Sequence, residues 1–200
     1  KGIEIIKKSL GKVDDKTPLT LVLGLKSDLG TLYNDIGEYQ LAKAELLESI
    51  EEIRNILGHK NIELSTVLNQ ISGTNRNLGQ MDKAKEAVTE AYQINLEVFG
   101  ENNINTAISL NMLAVMSYQT GDVPTAIIHM RKAIEIFENQ KSDDYTDTLE
   151  LKTNLAALLN LSGKNEEALV LLREVYAKQL ETLGEKHDST IYSQQVLART

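Results

Sequence analysis

An all-α fold built by stacking antiparallel helix hairpins is predicted by three features of this 200-residue chain. Glycines stand at Gly37, Gly79, Gly121 and Gly163, each 42 residues after the one before. A fixed period of this size marks a solenoid or an array of one supersecondary unit. Around each glycine the same residue types recur. Eight before come Leu29, Ile71, Leu113 and Leu155; seven before, the small residues Gly30, Ser72, Ala114 and Ala156; five after, Ala42, Ala84, Ala126 and Ala168; nine after, Leu46, Val88, Met130 and Leu172. The third feature is helical periodicity on both sides of each glycine, as in Leu25, Leu29, Leu32 and Ile36 before Gly37 and in Ala126, Ile127, Met130, Ala133, Ile134 and Phe137 after Gly121.

Taken in order, the chain opens at residues 1–15 on the second helix of a preceding unit. Gly2-Ile3-Glu4-Ile5-Ile6 through Leu10 matches Ala126 to Ile134 in character. Thr17-Pro18 then reads as a helix cap followed by proline at the first helical position. Four hairpins are expected at about 18–57, 61–99, 103–140 and 145–183, and the first helix of a further unit at 187–200. In each hairpin the central glycine ends the first helix, because it tolerates positive φ, and the short connection makes the two helices antiparallel neighbours. A second series, Gly58, Gly100 and Gly184, keeps the period, with Ser142 in the missing slot. The chain is expected to be one array over residues 1–200. Both ends stop in mid-pattern and no initiator methionine is present, so a piece of a longer array is expected, although the last helix could also serve as a cap.

A small residue after Leu, a glycine seven later, an alanine five beyond it and alternating large and small positions thereafter resemble the tetratricopeptide repeat. That family's usual period is about 34 residues; here roughly eight are added, about 12 Å of helix. The longer period, with Leu183-Gly184-Glu185-Lys186-His187 and Leu110-Asn111-Met112-Leu113-Ala114, resembles the kinesin-light-chain type of the repeat. The resemblance implies a right-handed superhelical solenoid whose first helices line a concave, peptide-binding side. The chain departs from the family in having no tryptophan, and in keeping the tyrosine four before the glycine only as Tyr33, where Asn75, Ser117 and Leu159 replace it later.

With no cysteine there is neither disulfide nor thiolate metal site, and no run approaches a transmembrane span. A cytoplasmic location is expected. A net charge of −8 argues against a nucleic-acid backbone as partner. Acidic residues gather on the second helices, at Glu48, Glu51 and Glu52 and at Glu166, Glu167 and Glu174, and are expected to form a solvated outer face. Catalytic motifs are absent. The histidines are His59, His129 and His187; none has metal-ligand spacing to another. His187 suits a loop or capping role, since Asn61, Asn103 and Tyr145 hold the matching positions, and His129 is expected to face solvent. No cofactor, no metal and no enzymatic activity are expected.

Function is therefore sought on the first helices. Positions thirteen, ten, six and three before each glycine share one face. It reads Gly24, Ser27, Thr31, Asn34; then Thr66, Asn69, Gly73, Arg76; then Ile108, Asn111, Val115, Tyr118; then Glu150, Thr153, Ala157, Asn160; and finally Tyr192, Gln195, Arg199. Two features stand out. One is the polar ladder of Ser27, Asn69, Asn111, Thr153 and Gln195, with Asn154 beside it. Asparagine carries both a donor and an acceptor, suited to the main chain of an extended peptide, and the kinesin-light-chain type has asparagines at matching places. Equally, these groups could solvate the groove or bond between adjacent helices. The other feature is the apolar patch of Ile108, Val115 and Tyr118, which could seat a hydrophobic anchor or pack against the next unit. Because Arg76 and Arg199 are nearly the only cations on the face, a neutral, apolar or mildly basic segment is the expected ligand. The leading expectation is a protein-interaction adaptor binding a partner peptide in its concave groove. The alternative is a regulatory or oligomerisation module of a larger signalling protein; the oligomeric state is open.

Overall fold

The computed structural model describes residues 2–14, 16–140 and 145–199. Among them are ten helices: α1 (Gly2–Leu10), α2 (Leu19–Asp35), α3 (Tyr39–Leu57), α4 (Ile62–Asn77), α5 (Met81–Phe99), α6 (Ile104–Gln119), α7 (Val123–Asn139), α8 (Tyr145–Leu161), α9 (Asn165–Leu183) and α10 (Asp188–Leu197). They group into two compact units, residues 1–100 with α1–α5 and residues 101–200 with α6–α10.

Each hairpin closes on its glycine by the same pair of hydrogen bonds. At the first, φ is +81° at Gly37; the Gly37 N–H donates to the Asn34 carbonyl at 3.0 Å and the Glu38 N–H to that of Tyr33 at 2.8 Å. This is the Schellman arrangement, which satisfies carbonyls that the end of a helix leaves open. Gly79, Gly121 and Gly163 repeat it, with Gln80, Asp122 and Lys164 as the following donors.

The helices then meet where the sequence is small. Ala42, Ala84, Ala126 and Ala168 have no exposed surface. At Gly30 the approach is closest: an added Cβ would stand 2.7 Å from Leu46 Cγ and Cδ2, and Leu46 is itself fully buried. At the matching place in the next hairpin, Ser72 uses its size differently, donating its hydroxyl to the Ala84 carbonyl at 2.7 Å. In the first unit a core of Leu46, Ile50, Ile53, Leu64, Leu68, Ile71 and Ile94 runs through α3, α4 and α5. Beside it, α1 seats Ile3, Ile6 and Leu10 against Leu29, Tyr33 and Ala42. The Lys7 ammonium lies 5.4 Å from the centre of the Tyr33 ring. In the second unit α6 packs on α7, α7 on α8, α8 on α9 and α9 on α10. Here Met130, Ile136, Leu159 and Leu172 are among the most deeply buried side chains.

Two local expectations are corrected. The first helix ends at Leu10, because Gly11 follows and Asp14 and Thr17 form a compact polar turn. The Asp14 N–H donates to Thr17 Oγ1 at 3.0 Å and the Thr17 hydroxyl to Asp14 Oδ1 at 2.9 Å. Such local side-chain bonds compete with helix. They also occupy Thr17, so α2 begins after Pro18 with no side-chain cap. Elsewhere the caps are built as bonds from the chain: Asn61 accepts from Leu64 N–H at 2.8 Å, Asn103 from Asn105 N–H at 2.9 Å, and His187 Nδ1 from Ser189 N–H at 3.3 Å. Gly58, Gly100 and Gly184 all take positive φ just after α3, α5 and α9; Ser142 lies outside the described residues.

The contrast between two helical glycines tests this packing. Gly24 has open space around its would-be Cβ whereas Gly30 meets Leu46. Gly24→Ala should raise the unfolding free energy by about 0.5–1 kcal/mol through helix propensity. Gly30→Ala should lower it, because overpacking costs about 1–3 kcal/mol and exceeds that gain. Urea unfolding of both variants reads the sign directly; equal stabilisation by both would refute the close contact.

Candidate functional site

The expected face behaves differently in the two units. In the first, α2 and α4 are stitched together along it. The Ser27 hydroxyl donates to Gln70 Oε1 at 2.6 Å, Gln70 Nε2 donates to Thr31 Oγ1 at 3.0 Å, and Asn34 Nδ2 donates to Thr74 Oγ1 at 3.0 Å. Ser27 and Asn34 are therefore helix-to-helix ties here. Asn69 and Arg76 are half-buried on α4, and Asn69 is already engaged.

Two repeats later the same positions carry different chemistry. Asn111 and Asn154 replace Ser27 and Gln70, Val115 replaces Thr31, and Tyr118 and Leu158 replace Asn34 and Thr74. Valine and leucine have no hydroxyl, asparagine is one methylene shorter than glutamine, and no matching tie is found among the described residues. Instead two cavities open between α6 and α8. One, of about 240 Å³, is lined by Ile108, Asn111, Phe137, Glu150, Leu151 and Asn154. The other, of about 230 Å³, is walled by Val115, Tyr118, Asn154, Leu158, Leu161 and Tyr192 among others. Ile108 is 40% exposed and Tyr118 48%, so neither is consumed by packing. Asn111 Oδ1 is shielded from solvent and accepts no hydrogen bond among the described residues. Asn154 belongs to both cavities.

The remaining candidates do not converge on these cavities. Thr153 is 1% exposed, its hydroxyl donates to the Leu149 carbonyl of its own helix at 2.9 Å, and it lines a neighbouring cavity rather than these two. Asn160 is half-buried near the end of α8, and Gln195 on α10 and Arg199 just beyond it are exposed. A third cavity of about 220 Å³ adjoins, bordered by the carboxylates of Glu150 and Asp188, with Gln179 and Tyr192. Leu158 and Leu161 are lane residues not placed on the face from sequence. Gln70 was missed too, although it stands nine before its glycine as Asn154 does.

The outer acidic residues are only partly a solvated face. Arg54 of α3 bonds Glu90 of α5 through both carboxylate oxygens, at 2.7 and 2.8 Å. Lys26 of α2 bonds Glu48 and Glu52 of α3 at 2.9 and 2.6 Å, and Lys152 of α8 bonds Glu138 of α7 at 2.7 Å. Burial works against the Lys152 charge, but its hydrogen bond with Glu138 and the charges of Glu138 and Glu174 outweigh this and hold its pKa above the ordinary lysine value. Among the described residues no group of three or more His, Cys, Asp or Glu is placed to hold a metal ion, and no helix is long and apolar enough to cross a membrane.

His129 corrects a further expectation, because it is half-buried rather than solvent-facing. The cause is its position eight after Gly121, beside the alanine-based contact of α7 with α6. Burial lowers its pKa below the ordinary 6.5, against a backbone hydrogen bond with Leu113 and the charge of Asp122, which raise it. Its Nδ1 is shielded and has no hydrogen-bond partner among the described residues.

Comparison with known proteins places this geometry. The family model described as "Tetratricopeptide repeat" matches residues 63–139, and a second one of the same description matches residues 148–189; together they span more than half of the chain. A "Clustered mitochondria protein homolog" of Danio rerio is 27% identical over 109 residues, which are 54% of this chain but 8% of that protein. The chain thus spans under a tenth of this curated relative. The crystal structure of a Podosopora anserina putative kinesin light chain with nearly identical TPR-like repeats is 22% identical, with a TM-score of 0.76 over 88% of this chain and 84% of that one. BtubC (BKLC) from P. vanneervenii is 20% identical, with a TM-score of 0.78 over 92% and 73%. These structural likenesses establish an all-α solenoid of helix hairpins.

The depressed pKa of His129 has a consequence for stability. The unfolded chain takes up the proton first, so the contribution of His129 is complete above pH 6.5 and is lost as pH falls through the lower folded-state value. His129→Gln should flatten the decline of unfolding free energy between about pH 7 and about pH 5. An unchanged slope would show that the imidazole titrates freely in the folded protein.

Proposed function

We propose, from the premise that this chain belongs to the tetratricopeptide repeat family, that it is a non-catalytic protein-interaction scaffold whose second unit holds a segment of a partner protein along α6, α8 and α10. The observation that carries this reading is the change of chemistry between matching lanes: polar ties close α2 to α4, while the substituted positions leave α6 and α8 parted by two cavities sharing Asn154.

Each part of the lane suits a part of a peptide. The Asn111 and Asn154 amides offer donors and acceptors to a main chain without reading its side chains. Val115, Tyr118, Leu158, Leu161 and Tyr192 form an apolar recess in which one hydrophobic side chain would bury surface at about 25 cal/mol per Å². The carboxylates of Glu150 and Asp188 border the lane on its α10 side, which favours a neutral or mildly basic segment over an acidic one. The exposed rims of Tyr118 and Tyr192 resemble the aromatic anchors that dominate interface energetics.

Peptides selected from a displayed random library against this chain should carry a large apolar residue at one fixed position. Asn154→Ala and Tyr118→Ala should each weaken the selected peptides by about tenfold or more, as loss of an interface anchor does, with far-ultraviolet circular dichroism unchanged. Ser27→Ala should leave their affinity intact. Peptides whose affinity survives both Asn154→Ala and Tyr118→Ala would place the binding surface elsewhere.

A further inference from the structure

A second recess lies on the other side of α8. Between α7 and α9 opens a groove of about 600 Å³ whose apolar floor is Ile134, Leu155, Val170 and Leu171. Its rim is acidic: Glu135 and Glu138 from α7, and Glu166, Glu167 and Glu174 from α9. Two cations reach it, and both are committed. Arg131 bonds Glu167 across the groove, and Lys152 bonds Glu138 at 2.7 Å and lies 3.5 Å from Glu174. Glu135 and Glu166 have no cationic partner among the described residues, so the rim keeps an excess of negative charge.

The fold does not require this apolar surface. Val170 is 69% exposed, and at the matching positions of α5 the chain has Glu86 and Ala87 where α9 has Val170 and Leu171. An exposed valine beside a half-buried leucine, ringed by carboxylates, is the arrangement of a contact surface with an apolar centre and a polar rim.

We propose that this groove docks an amphipathic basic helix of a partner protein. The charge of the rim selects a cationic partner. The floor selects a helix over an extended strand, because it offers no uncommitted polar side chain to a peptide backbone, and a helix satisfies its own backbone groups internally. The lining spans Arg131 to Glu138 on α7 and Glu166 to Glu174 on α9, about 12 Å along each helix. That length accommodates about two turns of a docked helix, with apolar residues at i, i+3 or i+4 and i+7 facing the floor and lysine or arginine on the flanks. The site is independent of the α6–α8–α10 lane and stands or falls without it.

The test uses the 200-residue chain and a fluorescent, helical peptide of leucine and lysine in that pattern, about four turns long, read by anisotropy. The peptide should bind, and Val170→Arg should weaken it about tenfold, as loss of a central contact does. Ile128→Arg, the same charge change at a 64% exposed site of α7 off the groove, should alter its affinity by less than about twofold, as surface changes away from a contact do. Tyr118→Ala should have no effect on it. A leucine and glutamate peptide of the same pattern should not bind. Equal weakening by Val170→Arg and Ile128→Arg would reduce the binding to general attraction by an acidic protein and overturn the proposal. So would binding of the glutamate peptide. A dimer in light scattering that Val170→Arg dissociates, without binding of the lysine peptide, would overturn it in favour of a second copy of this chain.

Discussion

The left-handed turn that ends each first helix is the constraint on which the remaining structure depends. At Gly37, Gly79, Gly121 and Gly163 the chain takes φ of +81, +72, +83 and +79°, a region in which a side chain would be strained. The reversal is tight because two N–H groups, that of the glycine and that of the next residue, close onto carbonyls of the last turn. It places the fully buried Ala42, Ala84, Ala126 and Ala168 at the same height in every hairpin, where a small residue admits the neighbouring helix. Once the pairs are in register, the first helices of successive hairpins come side by side within each unit, and the lane is a consequence.

Identical scaffolding then carries two energetic solutions. The ties of Ser27, Gln70, Thr31, Asn34 and Thr74 contribute about 1 kcal/mol each, the usual net value of an intramolecular hydrogen bond. In the second unit that stabilisation is missing between α6 and α8, and Asn111 Oδ1 is shielded without a donor among the described residues, as Asn34 Oδ1 is in the first unit, each at a cost of about 1–3 kcal/mol. Tyr118 also leaves 48% of its surface in solvent. Neither feature helps the isolated chain to fold. In the proposed complex both would become favourable, since a partner would bring a donor to Asn111 and an apolar group to the recess.

The hairpins were legible because their signals are local and periodic. A glycine that must take positive φ, and an alanine that must be small, leave a residue type at a fixed place in every repeat. The lane was legible only as a face. Whether Ser27 meets a partner or Gln70 depends on a side chain 43 residues away, and no helical period reports that distance. Thr153 fell in the ladder by spacing, yet a hydroxyl on a helix can return to its own backbone. His129 was misjudged for a related reason: spacing shows that it lies on α7 but not how deeply α6 covers it. Asn154 is the instructive exception. Its position nine before the glycine, shared with Gln70, carried the information, and comparing repeats pairwise rather than as one ladder would have exposed the lost tie.

The two proposed surfaces share α8, and the way that helix is held decides whether they would communicate. Asn154 and Leu158 face the lane, whereas Lys152 and Leu155 belong to the groove between α7 and α9. Between them, Leu151, Leu155, Ala156 and Leu159 are buried, and Lys152 is bound to Glu138 of α7 and close to Glu174 of α9. These contacts hold α8 in the arrangement described, and coupling between the surfaces would need a second arrangement that the two ligands bias differently. A ligand changes the affinity at another site only by biasing such an alternative state. Occupation of one surface should therefore leave affinity at the other nearly unchanged. A partner able to reach both would gain by linkage, through effective concentration rather than through a conformational signal.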